Sequence, residues 1–178
     1  RRLVNRLRAV LQRYHAELLA LLPSADEPWF WDLVEQAPTP AAGKRLSPKR
    51  IKKLLSEHRI RRLTADDVVA RLREPELPVG PGVIEACSEH ALLLVPRLHL
   101  LAQQLGRCQA QVQRLLDELD SGEEPAQTNE HRDVRILRSL PGAGRYVVAT
   151  MLAEAWRPLE NTDYRTLRAV CGAAPVTK

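Results

Sequence analysis

The chain has 178 residues, 44% of them hydrophobic, 28% charged and 4% aromatic, and its 27 basic against 22 acidic side chains give a formal net charge of +5. That is enough apolar material for one or two small units with a core, and too much for a disordered chain. No stretch alternates apolar with polar residues for long, no apolar run approaches the roughly eighteen residues of a membrane span, and no signal-peptide pattern is present, so the expectation is an all-α protein with no membrane partner.

From Arg2 to Leu22 the residues Leu3, Leu7, Val10, Leu11, Tyr14, Leu18, Leu21 and Leu22 recur at helical spacing, with Arg6, Arg8 and Arg13 off that stripe. The spacing predicts one long amphipathic helix ending before Pro23. After a breaker from Pro23 to Pro28, Trp29, Phe30, Trp31, Leu33 and Val34 form the most aromatic patch in the chain. Stacking platforms for bases interleave aromatics with basic residues, whereas this patch carries Asp32 and Glu35, so it reads as a core plug. Pro38 to Gly43 reads as a linker.

Charge changes sharply beyond it. Lys44, Arg45, Lys49, Arg50, Lys52, Lys53, Arg59, Arg61 and Arg62 crowd one short span. Ser47 and Pro48 have the form of an N-cap and first helical residue, giving a helix to about His58 with Ile51, Leu54 and Leu55 inward and the bases outward. Thr64 with Asp67 three residues on forms a capping box for a second short helix carrying Val68, Val69 and Leu72. Unpaired Lys and Arg at this density repel one another unless phosphates neutralise them, so the basic elbow is a candidate nucleic-acid contact rather than a solvated face. Glu74 to Pro81, with its prolines and Gly80, breaks this helix.

Ile84, Cys87, Ala91, Leu94, Leu98, Leu101, Leu105, Cys108, Val112, Leu115 and Leu119 then alternate steps of three and four, the heptad spacing of a coiled-coil-like helix. Such a rod is about 50 Å long at 1.5 Å per residue, longer than a small domain, so part of its seam is expected to be covered by another long helix or by a second copy in a homo-oligomer. Pro96 falls off the seam and predicts a kink rather than a stop. Asp120 to Asp133, acidic and containing Gly122 and Pro125, reads as an exposed loop.

Val134, Leu137 and Leu140 make a short helical face, Pro141 to Gly144 a tight turn, and Val147, Val148, Met151 and Leu152 a second helix, together a helix-hairpin-helix pattern. Glycines at Gly142 and Gly144 let a backbone approach a phosphate, the N–H groups opening the next helix supply donors, and Arg145 adds charge, so these three residues are candidate binding residues that would grip backbone without reading sequence. Asn161 and Thr162 are candidate caps for a last helix carrying Tyr164, Leu167, Val170 and Cys171 and ended by Gly172. Cys87 and Cys108 sit on the apolar seam as small hydrophobes, as suits a reducing cytoplasm, and the spacing of the cysteines and of His15, His58, His90, His99 and His131 makes no metal site.

Arg138 to Ala155 followed by Tyr164 to Lys178 resembles the C-terminal transposase domain of the insertion sequence one-ten family, the bridge-RNA-guided DEDD transposases, and the likeness extends to Lys49 to Leu63 and the long rod. The resemblance implies a bacterial, cytoplasmic, nucleoid-associated protein that binds DNA and guide RNA during transposition and assembles through its middle helices. It also implies that this chain is a piece of the full protein. The RuvC-like domain with its four acidic Mg²⁺ ligands would precede Arg1, none of Asp26, Asp32, Asp66 or Asp67 matching them, and the nucleophilic serine would follow Lys178, Thr177 not replacing it. No catalytic residue, metal ligand or cofactor is therefore assigned within the chain. The nucleic-acid-binding set is Lys49, Arg50, Lys52, Lys53, Arg59, Arg61, Arg62, Gly142, Gly144 and Arg145, and the expected partition is a helical and coiled-coil region over 1–119, a linker over 120–133 and a partial transposase domain over 134–178. Two rivals remain: a DNA-repair glycosylase, whose hairpin is close to Leu140 through Arg145 but whose catalytic lysine is replaced by Tyr146, with Asp163 as the only later aspartate; and a coiled-coil DNA-binding regulator.

Overall fold

The computed structural model describes residues 1–75, 78–120 and 129–172, the side chains of 129–132 excepted. Among the described residues there are helices and no strands, as the composition requires: α1 (Arg2–Tyr14), α2 (Ala16–Leu21), α3 (Pro28–Gln36), α4 (Pro40–Lys44), α5 (Pro48–Glu57), α6 (Ala65–Leu72), α7 (Pro81–Asp120), α8 (Asn129–Ser139), α9 (Arg145–Glu160) and α10 (Tyr164–Val170). They form two compact units, residues 1–104 and 105–178, whose boundary falls inside α7.

In the first unit α3 is the plug. Trp29, Phe30, Trp31, Leu33 and Val34 are buried on successive turns, and around them close Leu7 and Leu11 of α1, Leu18 of α2, Ile51 and Leu54 of α5, Val68 and Leu72 of α6, and Ala91, Leu94, Val95 and Leu98 of α7. Trp29 and Phe30 meet edge to face, with ring centroids 5.9 Å apart, the arrangement their quadrupoles favour. Both indoles are satisfied: Trp29 Nε1 donates to Glu27 Oε2 at 2.8 Å and Trp31 Nε1 to the Ala25 carbonyl at 2.8 Å. Tyr14, buried beside them, donates its hydroxyl to the Pro38 carbonyl at 2.8 Å, and burial, with a smaller effect of Cys87, pushes that hydroxyl's pKa well up.

Two local expectations give way here. The first amphipathic stretch is two helices rather than one, because the backbone leaves helical geometry at the buried His15 (φ −146°, ψ 53°). The expected linker at Pro38 to Gly43 contains α4, N-capped by the Thr39 side chain, which accepts from Ala42 N at 3.2 Å. A Cβ added at Gly43 would meet Leu72 Cδ2 at 3.2 Å and His15 Nε2 at 3.5 Å, so the glycine lets α4 lie close to α6.

α7 runs unbroken for 40 residues, about 60 Å, through Pro96. The heptad seam is covered only in part. Ala91, Leu94 and Leu98 are buried in the first unit, while Leu101, Leu105 and Leu115 are 49%, 60% and 46% exposed and Cys108 is exposed. In the second unit Leu116, not Leu115, enters the core, with Leu137 of α8 and Val148 of α9. α8 already starts at Asn129, inside the stretch expected to be loop; residues 121–128 lie outside the described residues. α10 is capped by Asp163 rather than by Asn161 or Thr162, its carboxylate accepting from Thr166 N at 3.1 Å, and Gly172 past its end takes φ +69° as expected.

Replacing Phe30, which is 0% exposed, by Ala should destabilise the chain by about 3–5 kcal/mol through the forfeited transfer energy and the cavity left behind. Chemical denaturation monitored by circular dichroism should show this as a lower midpoint, whereas Gln36→Ala at the exposed end of the same helix should leave the midpoint within experimental scatter.

Candidate nucleic-acid interface

The basic elbow is built by two local signals. Ser47 Oγ accepts from Arg50 N at 3.4 Å and fixes the start of α5; Thr64 and Asp67 make the reciprocal capping box that starts α6. Between them Ile51, Leu54 and Leu55 go inward, which by the helical period turns Lys49, Arg50, Lys52 and Lys53 to solvent. Arg59, Arg61 and Arg62 are exposed on the turn that follows, where Arg59 adopts φ +55°. Lys52, Leu55, Ser56, Ile60, Leu63, Thr64, Ala65 and Asp66 line a shallow groove of about 390 Å³ between α5 and α6. Hydrogen bonds from Thr64 hold the Asp67 carboxyl below its ordinary pKa of 3.8, so it stays ionised in the cap.

Not all of these cations are unpaired. Arg62 lies with Nη2 2.5 Å from Glu27 Oε1, at the N-cap of α3, which ties the turn to the plug. Lys53 is 3.8 Å from Glu57 one turn on, but both side chains are more than half exposed and the pair contributes little. Lys49, Arg50, Lys52, Arg59 and Arg61 make no ion pair among the described residues. Carboxylates distant in sequence decide this division, and no spacing rule reveals them.

In the second unit the turn between α8 and α9 assigns its two glycines different tasks. Gly142 has φ +87°, the left-handed region that side chains avoid, and closes the turn with its carbonyl accepting from Gly144 N at 3.0 Å. Gly144 has φ −67° and ψ 163°, extended backbone open to any residue, and is the N-cap of α9. A Cβ added there meets nothing within 4 Å. Of the two, Gly142 is the conformationally demanding glycine, and at Gly144 a side chain would act by occupying space rather than by straining the backbone. The opening N–H groups of α9, at Arg145, Tyr146 and Val147, have no intrahelical acceptor and point out of the helix end. Arg145 lies over the exposed Tyr146 ring at 5.1 Å.

Arg138 on α8 does not join this charge. Its guanidinium spans Asp117 at 2.7 Å and Asp120 at 2.5 Å, clasping α8 to the last turn of α7. Asp163, the aspartate a glycosylase would need, is held below its ordinary pKa by its hydrogen bonds to Thr166 and serves as the cap of α10.

Over 98% of its length the chain is 30% identical to a Streptomyces coelicolor protein named "Mini-circle putative transposase for IS117", and over 64 residues it is 44% identical to a Sinorhizobium fredii protein named "Putative transposase y4uE". The chain is similar to proteins named as transposases. It spans 41% of the first and the match covers 18% of the second. No family model matches it, and no solved structure does. No helix among the described residues is long and apolar enough to cross a membrane.

The Arg138 clasp carries a pH signature. Hydrogen bonding to Arg138 first, and to Gln113 second, holds the Asp117 carboxyl below its ordinary 3.8. A carboxyl lowered on folding contributes stability that is present above the unfolded value and disappears as pH falls through the folded one. The difference in melting temperature between the wild type and Arg138→Gln should therefore be constant from pH 7 to pH 5 and close below 3.8; a gap that persisted at pH 2 would remove the ion pair as its cause.

Proposed function

We propose that this chain is the part of a transposase that holds nucleic acid and assembles protomers, within a protein of the insertion sequence one-ten type, whose catalytic groups are not among these residues. The observation that carries the reading is Gly144. Neither its backbone conformation nor its surroundings demand glycine, and the missing side chain leaves the N–H groups that open α9 accessible to a ligand. A phosphate seated there would be held by backbone donors, the helix dipole and Arg145, all indifferent to base identity. The exposed cations of α5 and its turn supply a second sequence-independent hold, through counterion release. Similarity to the two named proteins supports DNA as one polymer. Guide RNA as the other, a Mg²⁺-dependent acidic domain and a serine nucleophile elsewhere in the protein, and a cytoplasmic, nucleoid-associated setting follow from the family resemblance. In this reading α8, its turn and α9 act as a helix-hairpin-helix and α7 as a coiled-coil helix, with the exposed Leu101 and Leu105 as the stretch a second copy would cover. Tyr146 in place of a lysine nucleophile and the capping role of Asp163 both disfavour glycosylase chemistry.

Two binding variants separate the holds. Lys49, Arg50, Lys52 and Lys53 changed together to Gln should weaken binding to any duplex or single strand and flatten the plot of log affinity against log salt by roughly 0.7–0.9 for each phosphate no longer neutralised. Gly144→Val should lose binding while keeping its helical circular dichroism, and Arg145→Ala should lose less; unchanged binding by a folded Gly144→Val protein would move the site off the turn.

Self-association is tested at Leu105, which is 60% exposed in the single chain. Leu105→Asp should leave the fold intact and shift sedimentation toward monomer, because it would put an unpaired charge in an apolar contact. Leu98 is not a usable probe, being 4% exposed in the core of the first unit. A wild type that sediments as a monomer would remove the assembly role.

A further inference from the structure

Four residues from α3, the end of α5 and α7 come together on the first unit. Asp32 and Glu35 sit one turn apart on α3 and so share a face; His99 reaches them from α7, and His58 from the C-cap of α5. One ligand atom each of Asp32, Glu35 and His99 can be chosen so that all lie within 4.8 Å of one another. Asp32 is the centre of the group: its Oδ2 is 2.6 Å from His58 Nε2 and its Oδ1 is 2.9 Å from His99 Nε2.

The two contacts differ in kind. The first is a hydrogen bond between the imidazole and the carboxylate. The second is not: His99 Nε2 is shut off from solvent and has no hydrogen-bond partner, although the carboxylate oxygen stands 2.9 Å away. An imidazolium would pair with the carboxylate at that distance, and so would an imidazole and a carboxylate that face a shared metal ion. Ligands about 2.0–2.2 Å from a tetrahedral ion are themselves about 3.3–3.6 Å apart, so the two atoms, 2.9 Å apart, would separate by about half an ångström to share one. The imidazole is also held in place. Its ring meets Trp31 edge to face at 5.3 Å, and Trp31 is locked by its own hydrogen bond to Ala25. His58 holds the outer carboxylate oxygen as an outer-shell partner orients a metal ligand.

We propose that Asp32, Glu35 and His99 bind a divalent transition-metal ion of the Zn²⁺ class, with His58 orienting Asp32, and that the ion clips α3 to α7. One imidazole with two carboxylates suits Zn²⁺ and its neighbours and disfavours Mg²⁺, which prefers oxygen ligands alone. Glu35 is exposed and turns inward to complete the set, leaving the remaining positions to water. The clip is independent of the nucleic-acid reading, since none of the four residues belongs to the proposed interface.

The test uses the whole chain with the exposed Cys108 and Cys171 changed to Ser, which removes competing thiolates. Titration with Co²⁺ should give ligand-field absorption that saturates at one equivalent, that Zn²⁺ abolishes and that millimolar Mg²⁺ leaves unchanged, and Zn²⁺ should raise the melting temperature. Glu35→Gln and His99→Gln should each weaken Co²⁺ binding at least tenfold, and His58→Gln about tenfold, as losses of outer-shell partners do. Glu35 is on the surface, so Glu35→Gln keeps its fold and decides the matter even if His99→Gln does not fold. No saturable Co²⁺ site in the parent protein, or parental affinity in a folded Glu35→Gln protein, would overturn the proposal.

Discussion

A helix of 40 residues cannot be buried by one small core, and that constraint shapes the chain. α7 must find cover piecemeal. Within the first unit Ala91, Leu94, Val95 and Leu98 form a stripe wider than a coiled-coil seam, the kind a globular core covers with several short helices. Within the second, Val112 and Leu116 meet α8 and α9. Between these stretches Leu100, Leu101 and Leu105 stay at least 49% exposed. An isolated helix gains little from propensity alone and depends on packing of its apolar face, so an uncovered stretch in mid-helix is held up by the burial on either side of it.

The same constraint explains where the heptad reading goes astray. The positions around Ala91 to Leu98 are legible because the signal is dense and the helix is packed there. An ideal α-helix drifts by about 20° per heptad relative to a 3.5-residue repeat, so a register carried forward from Ile84 marks the buried face only in part some four heptads later, Val112 meeting the second core while Leu115 is exposed. Leu115 and Leu116 both neighbour Val112 on the helix surface, at i+3 and i+4. Only the placement of α8 and α9 decides between them, and that is tertiary information.

Features written in adjacent residues were readable: the Ser47 cap with Pro48, the Thr64–Asp67 box, the left-handed Gly172, and an aromatic run flanked by acids. Features that depend on distant partners were not. The break at His15 interrupts a stripe whose helical spacing continues on both sides, so periodicity passes straight over it. α4 hides in a Pro- and Gly-containing stretch that composition marks as linker, yet Thr39 caps it and Gly43 fits it against Leu72. Candidate site residues divide in the same way. The cation cluster is plain in the sequence, but the carboxylates that occupy Arg62 and gather His58 and His99 lie more than 25 residues away in the chain.

That sorting of charge bears on how one basic chain can be both folded and available to a polyanion. Arginines with carboxylate partners, Arg62 on Glu27 and Arg138 on Asp117 and Asp120, brace helix ends with their planar forks. Lysines and arginines without such partners, Lys49, Arg50, Lys52, Arg59 and Arg61, make no ion pair among the described residues. Their mutual repulsion costs stability in the free chain, and a phosphate backbone laid along them would relieve it. Had the bracing roles fallen to the same residues, binding would have to compete with folding for each cation. With the roles divided between residues, the proposed hold on nucleic acid would draw on cations that the helix ends do not need.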